Sequence, residues 1–321
     1  MLSKVSRSLA SRNAPIKNLV LLQVTTRDFS IENIGKWHEK PWDYKKRRYG
    51  MIGQICDSTL KRLGDNSLII TVDGNFGSGK SEFAKKLAKE IDFVYAREPD
   101  LDSHMYMQPN GYSLKDMINE TVGDNQRYRI DSLEDWHKNP SFKTTISLQH
   151  HYYNIRWMQM RTALLHLMST GQGVVLERSV FSDSVIAQSL YDNNFLSDEA
   201  FRFYMRDVIP NTINELWRPH VTVYLEKRPE DCYKSIQDNG KPFEKESKVY
   251  TMEFLQSMDK NYKKKFLPAM RNELHVLTYN AADADTEKTV EDLETLDFED
   301  QTKFNDWRIR KETTINTYRA V

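Results

Sequence analysis

The 321-residue chain has no surplus of either charge: 46 Lys and Arg residues balance 46 Asp and Glu. A general nucleic-acid binder gains affinity from cations that displace counterions from phosphates, so nothing here supports a nucleic-acid partner. Cysteine is scarce, with Cys56 and Cys232 the only two and no CxxC pattern. That excludes a disulfide framework and leaves no ligand set for zinc or an iron–sulfur cluster. The eight histidines form no HExxH, and no flavin site is expected. No apolar run approaches the roughly 18 residues that cross a bilayer, the longest being Leu19 to Val24. A hydrophobic fraction of 39% is still enough for the core of one large domain.

Acid is also missing locally. Residues 1–27 carry Lys4, Arg7, Arg12, Lys17 and Arg27, four serines and no Asp or Glu. A basic, Ser-rich, acid-poor start is the composition of a mitochondrial presequence, and Arg27-Asp28-Phe29-Ser30 resembles a matrix-protease site. We therefore expect a presequence over 1–29 and a matrix-side location. Residues 30–62 form a polar arm with Trp37, Trp42 and the cluster Lys45-Lys46-Arg47-Arg48; the tryptophans and the cluster are candidates for contact with neighbouring subunits. At the other end, Val290, Leu293 and Leu296 recur at helical spacing within Thr286 to Asp300, so 284–321 reads as a helix and a tail.

Between the ends, strand and helix signals alternate. Ser67 to Asp73 is a short β-branched run suited to a buried parallel strand. It leads directly into Gly74-Asn75-Phe76-Gly77-Ser78-Gly79-Lys80-Ser81, which satisfies G-x-x-x-x-G-K-[ST]. A helical pattern follows through Phe83, Ala84, Leu87, Ala88 and Ile91. Glycines let backbone N–H groups converge on phosphates, and the helix start adds a positive dipole end. Lys80 would reach the outer phosphates and Ser81 would sit on magnesium. A bound nucleotide, ATP, ADP or a deoxynucleotide, with magnesium is thus the expected ligand.

Further strands are expected at Asp92 to Arg97, Gly173 to Glu177, His220 to Glu226 and Leu274 to Tyr279. Helices are expected at Phe142 to Thr170, Asp198 to Trp217 and Val249 to Asn272. This alternation predicts an α/β fold of the P-loop nucleoside or nucleotide kinase type, a five-stranded parallel sheet with helices on both faces. Ligands in such sheets lie beyond the carboxyl ends of the strands, where Glu98, Glu177 and Arg178 fall. Glu98 could act as a general base, tuned by Arg97 and magnesium. Glu177 could hold magnesium through water, and Arg178 could neutralise a moving phosphoryl group.

Thr71-Val-Asp-Gly-Asn with the following Gly79-Lys80, Arg97-Glu-Pro, Glu177-Arg-Ser with Ser182-Asp, Leu133 to Pro140, and Leu148-Gln149 together resemble the deoxynucleoside kinases. The likeness runs over roughly residues 67 to 280. It implies that Glu98 deprotonates a sugar 5′-hydroxyl, that Arg178 stabilises the transferred phosphoryl group and that Gln149 reads the nucleobase. His137 falls where the family usually has a tyrosine against the sugar. The stretches His166 to Asp183 and Tyr262 to Pro268, with an insertion over 101–130, are similar to one branch of that family, the accessory, non-redox subunits of mitochondrial respiratory complex I. That resemblance implies other complex I subunits as partners.

One segment departs from a working kinase. An active member closes an arginine-rich lid over the donor phosphates. In the 63–283 domain that lid corresponds to 234–248, and Tyr233 to Glu246 contains no arginine. Lys234, Lys241 and Lys245 remain, but lysine lacks the planar fork of a guanidinium, and Gly240 and Pro242 interrupt the helix. Phosphate binding is expected to persist and phosphoryl transfer to be lost. The alternative is an active matrix deoxynucleoside kinase.

Overall fold

The computed structural model describes residues 66–98, 131–214 and 216–298, together with 42–43, 46, 62–64, 101, 113–123 and 129. The presequence 1–29, Trp37, Cys56, the basic cluster apart from Lys46, most of the 101–130 insertion and the tail beyond 298 lie outside the described residues.

Five strands form one parallel sheet: β1 (Ile69–Gly74), β2 (Val94–Ala96), β3 (Val174–Glu177), β4 (Val221–Glu226) and β5 (His275–Asn280). Their order is β2-β3-β1-β4-β5. The helices, in chain order, are α1 (Lys80–Glu90), α2 (Leu114–Val122), α3 (Leu133–Lys138), α4 (Phe142–Thr170), α5 (Asp183–Asp192), α6 (Asp198–Phe203), α7 (Ile209–Ile213), α8 (Pro229–Asn239), α9 (Pro242–Lys245), α10 (Met252–Asn261), α11 (Leu267–Arg271) and α12 (Thr286–Glu294).

Every residue of β1 is buried, and its alternation sends successive side chains to two cores. Ile70 and Val72 join Phe83, Ala84 and Leu87 of α1 and Leu293 of α12 on one face. Ile69 joins Leu164 and Leu167 of α4, Val185 of α5 and Leu255 and Met258 of α10 on the other. Each such fully buried aliphatic side chain contributes about 1.5–3 kcal/mol relative to an exposed one.

The ends of α4 coincide with the sequence expectation because both caps are local. Ser141 and Thr144 form a reciprocal capping box at its start. Gly171 closes it in the left-handed region at φ 79, where a Cβ would lie 2.2 Å from the Arg62 carbonyl oxygen.

The stretches expected as single helices over 198–217 and 249–272 are instead each interrupted. A π-helical segment, Tyr204–Val208, separates α6 from α7, and another, Tyr262–Phe266, separates α10 from α11. Pro210 and Pro268 sit just beyond, and proline has no N–H for the carbonyl four residues back. The chain responds with wider bonds: the N–H of Ile209 reaches Tyr204 O and that of Leu267 reaches Tyr262 O. Both π segments begin with a fully buried tyrosine, Tyr204 and Tyr262.

His220 ties the start of β4 to β1, its Nδ1 accepting the Ile69 N–H at 2.9 Å. Burial pushes its imidazole pKa down to about 4, and burial does the same to His137, also to about 4. Above pH ~6.5 both histidines are neutral in the folded and unfolded chain. Below it the unfolded chain takes up protons that the folded chain refuses, so stability falls as pH drops from ~6.5 to about 4. We predict a loss of up to about 1.4 kcal/mol per pH unit for each histidine. In urea titrations across this range, His220→Asn, whose Oδ1 can accept the same N–H, should give a shallower slope; an unchanged slope would contradict this account.

Candidate functional site

From β1 the chain leaves toward β3 and β2 on one side and toward β4 and β5 on the other, which makes the carboxyl end of β1 the switch point of the sheet. A cavity of about 500 Å³ opens there. Phe76, Gly77, Gly79, Lys80 and Ser81 supply the wall on the glycine-loop side.

Gly77 and Gly79 hold φ values of 74 and 88, which side chains resist. A Cβ on Gly77 would meet the Cys232 carbonyl oxygen at 2.6 Å, whereas one on Gly79 would enter open space. Gly74, Asn75 and Ser78 stand behind the wall. Asn75 shapes the loop, its Nδ2 donating to Leu255 O at 2.9 Å and its Oδ1 accepting the Phe76 N–H at 2.8 Å. The Ser78 hydroxyl is buried without a partner among the described residues. The Phe76 ring stacks on Tyr250 at 4.7 Å and carries the Arg178 guanidinium 4.8 Å from its centroid. An open glycine face, a buried lysine and a helix start together fit a phosphate chain.

Ser81 and Glu177, the expected magnesium pair, are in direct contact, with Ser81 Oγ donating to Glu177 Oε1. Glu177 Oε2 accepts the Tyr95 hydroxyl at 2.7 Å and the Glu98 N–H at 3.1 Å. One carboxylate and one hydroxyl suit a magnesium ion that draws its other oxygens from phosphates and water. Among the described residues no cluster of three or more His, Cys, Asp or Glu side chains could hold a metal by itself.

Glu98 is not tuned by Arg97 as expected. Arg156 Nη2 lies 2.8 Å and Arg178 Nε 3.0 Å from its Oε1, and Lys80 Nζ lies 3.6 Å from Oε2. Burial would raise this carboxyl, but Arg178, Lys80 and Arg156 outweigh it and hold it well below the usual carboxylate range. Burial and the nearby Arg178 push Lys80 down, against the pull of Glu98.

Arg178 sits at φ 62, in the left-handed region, a conformation that costs a non-glycine residue about 1–3 kcal/mol. Its guanidinium is spent within the chain, on Glu98, on the Tyr262 hydroxyl at 2.8 Å and on Gly74 O at 3.2 Å. It is absent from the cavity wall, its donors turned to groups of the chain itself. Gln149 does line the cavity, but its Nε2 is committed to Asp183 Oδ2 at 2.6 Å and to the Tyr204 hydroxyl at 3.2 Å.

His137 is likewise moved from its expected place. It is fully buried behind the wall, its Nδ1 2.6 Å from Ser247 Oγ and its ring against Phe243 and Tyr250. Trp136 takes the wall position instead. The Lys248 N–H donates to His137 O at 3.0 Å, so this histidine fastens the end of the 234–248 segment to α3. The segment expected as the lid, 234–248, gives the wall Ser235, Ile236, Asn239, Gly240, Lys241 and Glu244. None is arginine.

Several residues escaped the sequence reading: Arg156, Asp183 in its buried role, Tyr204, Tyr262 and Lys227. Arg156 was legible, since it follows Gln149 by two helical turns and so shares its face. The two tyrosines were not, because their reach depends on the π segments.

A family profile described as deoxynucleoside kinase matches residues 70–306. The chain is 34% identical over 276 residues to NADH dehydrogenase (ubiquinone) 1 alpha subcomplex subunit 10, mitochondrial, of Rattus norvegicus, covering 83% of this chain and 72% of that protein. It is 25% identical over 219 residues to the deoxyguanosine kinase of Dictyostelium discoideum, covering 67% of this chain and 64% of that one. A solved structure of deoxyadenosine kinase from M. mycoides with bound dATP superposes with a TM-score of 0.51 at 18% identity, over 71% of this chain and 97% of that one. It shows the shared fold.

Removing the Glu98 charge leaves the buried Arg178 guanidinium with no carboxylate within ion-pair distance among the described residues and leaves Arg156 with Asp183 alone; losing one partner of a buried ion pair costs about 3–5 kcal/mol. Glu98→Gln should therefore lower the melting temperature at pH 7 markedly. Because the carboxyl is depressed in the folded state, its contribution is present above the unfolded value near ~4.3 and fades as pH falls below it. The gap between wild type and variant should narrow in acid. A variant as stable as wild type at pH 7 would contradict the clamp.

Proposed function

The chain belongs to the deoxynucleoside kinase family, and on that footing we propose that it holds a nucleotide as a fixed structural group and serves as an accessory, non-redox subunit of mitochondrial respiratory complex I. Its role is in the assembly and stability of the complex that passes electrons from NADH to ubiquinone. It lies peripherally on the matrix side of the inner membrane, delivered by the presequence 1–29. Among the described residues no helix is long and apolar enough to cross a membrane.

The observation that carries this reading is the wall facing the glycine loop. Phosphoryl transfer spreads charge over three equatorial oxygens and is fastest when guanidiniums meet it, one being worth about 10³ to 10⁵ in rate. The segment over 234–248 brings Lys241 and Glu244 to the wall and no arginine. Glu98 points the same way: a base works best with a pKa near the operating pH, and three cations hold this carboxyl far below it. The likeness to subunit 10 of the rat complex, over 83% of the chain, supports the same assignment.

In the bound state the phosphates would lie on Gly77, Gly79, Lys80 and Ser81, with Ser81 and Glu177 as the protein donors to magnesium. Magnesium there would neutralise phosphate charge. Phe76, Trp136, Tyr152 and Tyr250 give the cavity an aromatic lining suited to a nucleoside, and Gln149 and Arg156 line it as well. The presence of Lys80, Glu98 and Arg178 together favours a second reading, an active matrix deoxynucleoside kinase.

Two measurements separate the readings. On native gels of mitochondrial membranes, the protein should migrate with complex I; exclusive migration as a small soluble species would exclude the subunit reading. Purified protein should show no phosphorylation of deoxyguanosine by ATP above background; saturable, magnesium-dependent turnover by the purified wild-type chain would establish the kinase. Lys80→Ala should weaken nucleotide binding and remove the rise in melting temperature that nucleotide gives; a wild-type melting curve indifferent to nucleotide would count against the pocket.

A further inference from the structure

Most charged groups in the cavity wall are already paired. Lys80 faces Glu98, and Arg156 faces both Glu98 and Asp183. Lys227, one residue past β4, is different. It lines the cavity, is half-buried and has no carboxylate within ion-pair distance among the described residues. Its ammonium is held by two neutral acceptors, Gly77 O at 2.9 Å and Ser235 Oγ at 2.6 Å. The first belongs to the glycine loop and the second to α8. The remaining wall cations without a carboxylate, Arg97 and Lys241, are exposed and therefore screened by water.

Partial burial costs a cation solvation, and a carbonyl and a hydroxyl return only part of it. An ammonium has three donors, and two are taken, so Lys227 keeps one for a further acceptor. Its anchor is the carbonyl of the loop whose N–H groups and Lys80 meet the phosphates. The missing counter-charge is thus expected at the loop, on the side where the lid carries no arginine.

We infer that Lys227 is a second phosphate-holding cation, which grips the outer phosphates of the nucleotide from the β4 side and makes the pocket prefer di- and triphosphates over monophosphate. This rests on the nucleotide-binding reading above. It relocates the positive wall from a closing helix to a residue at a strand end, so charge is supplied without lid movement. Such a site holds a nucleotide; it does not deliver several planar donors to a moving phosphoryl group.

The test uses the purified full chain and calorimetric titration with ADP, AMP and adenosine. Lys227→Met keeps the apolar stem of the side chain and removes the ammonium. Its affinity for ADP should fall about tenfold or more, the size of one hydrogen bond to a charged group, while adenosine binding is unchanged and the ADP-over-AMP preference shrinks. Lys227→Arg should retain most of the ADP affinity. If Lys227→Met binds ADP as wild type does while Lys80→Ala does not, the inference fails and the pocket reading stands. If Lys227→Met weakens ADP, AMP and adenosine equally, Lys227 only props the loop through Gly77, and the inference also fails. If wild type binds no nucleotide, both fall together.

Discussion

The interior of this protein is organised around one carboxylate held by three cations. Glu98 receives Arg156, Arg178 and Lys80, which come from α4, the end of β3 and the start of α1. From Arg156 the network continues to Asp183, Gln149 and Tyr204, and from Arg178 to Tyr262 and Gly74. Buried charges persist only when each finds a partner. This chain of partners fixes how the carboxyl ends of β1, β2 and β3 sit relative to the helices that cover them, and so fixes the shape of the cavity.

The same pairing separates holding from reacting. A carboxylate surrounded by guanidiniums is a firm structural node and a weak proton acceptor. A guanidinium bonded to a carboxylate, a phenol and a carbonyl has few donors left for a substrate. The glycine loop is under no such tension: Gly77 and Gly79 line the cavity, and the space beside Gly79 is open. In the function proposed above, such a fold would keep its phosphate seat while Glu98 and Arg178 support the core.

Much of this was legible in the sequence, for local reasons. The strand feeding Gly74 to Ser81 could be placed because β-branched residues and glycines are strong short-range signals, and α4 because Ser141 and Gly171 cap it. The missing arginines of 234–248 needed only counting. What sequence reading misjudged depended on packing. Arg97 was the obvious neighbour of Glu98 along the chain, but burial brings residues 58 and 80 positions away, Arg156 and Arg178, into the contact. His137 was assigned to the cavity by alignment with a tyrosine, but the shorter ring packs between Phe243 and Tyr250 and leaves the wall to Trp136. The π segments were hidden because Pro210 and Pro268 signal only an interruption, not the direction in which Tyr204 and Tyr262 will be turned.

The most direct measurement is an electron-density map of intact mitochondrial complex I purified from the organism that makes this protein. The account predicts this chain on the matrix side of the complex, with continuous density for a nucleotide whose phosphates lie against Gly77, Gly79 and Lys80. A complex lacking the chain, or a chain whose cavity is filled by its own side chains, would contradict it.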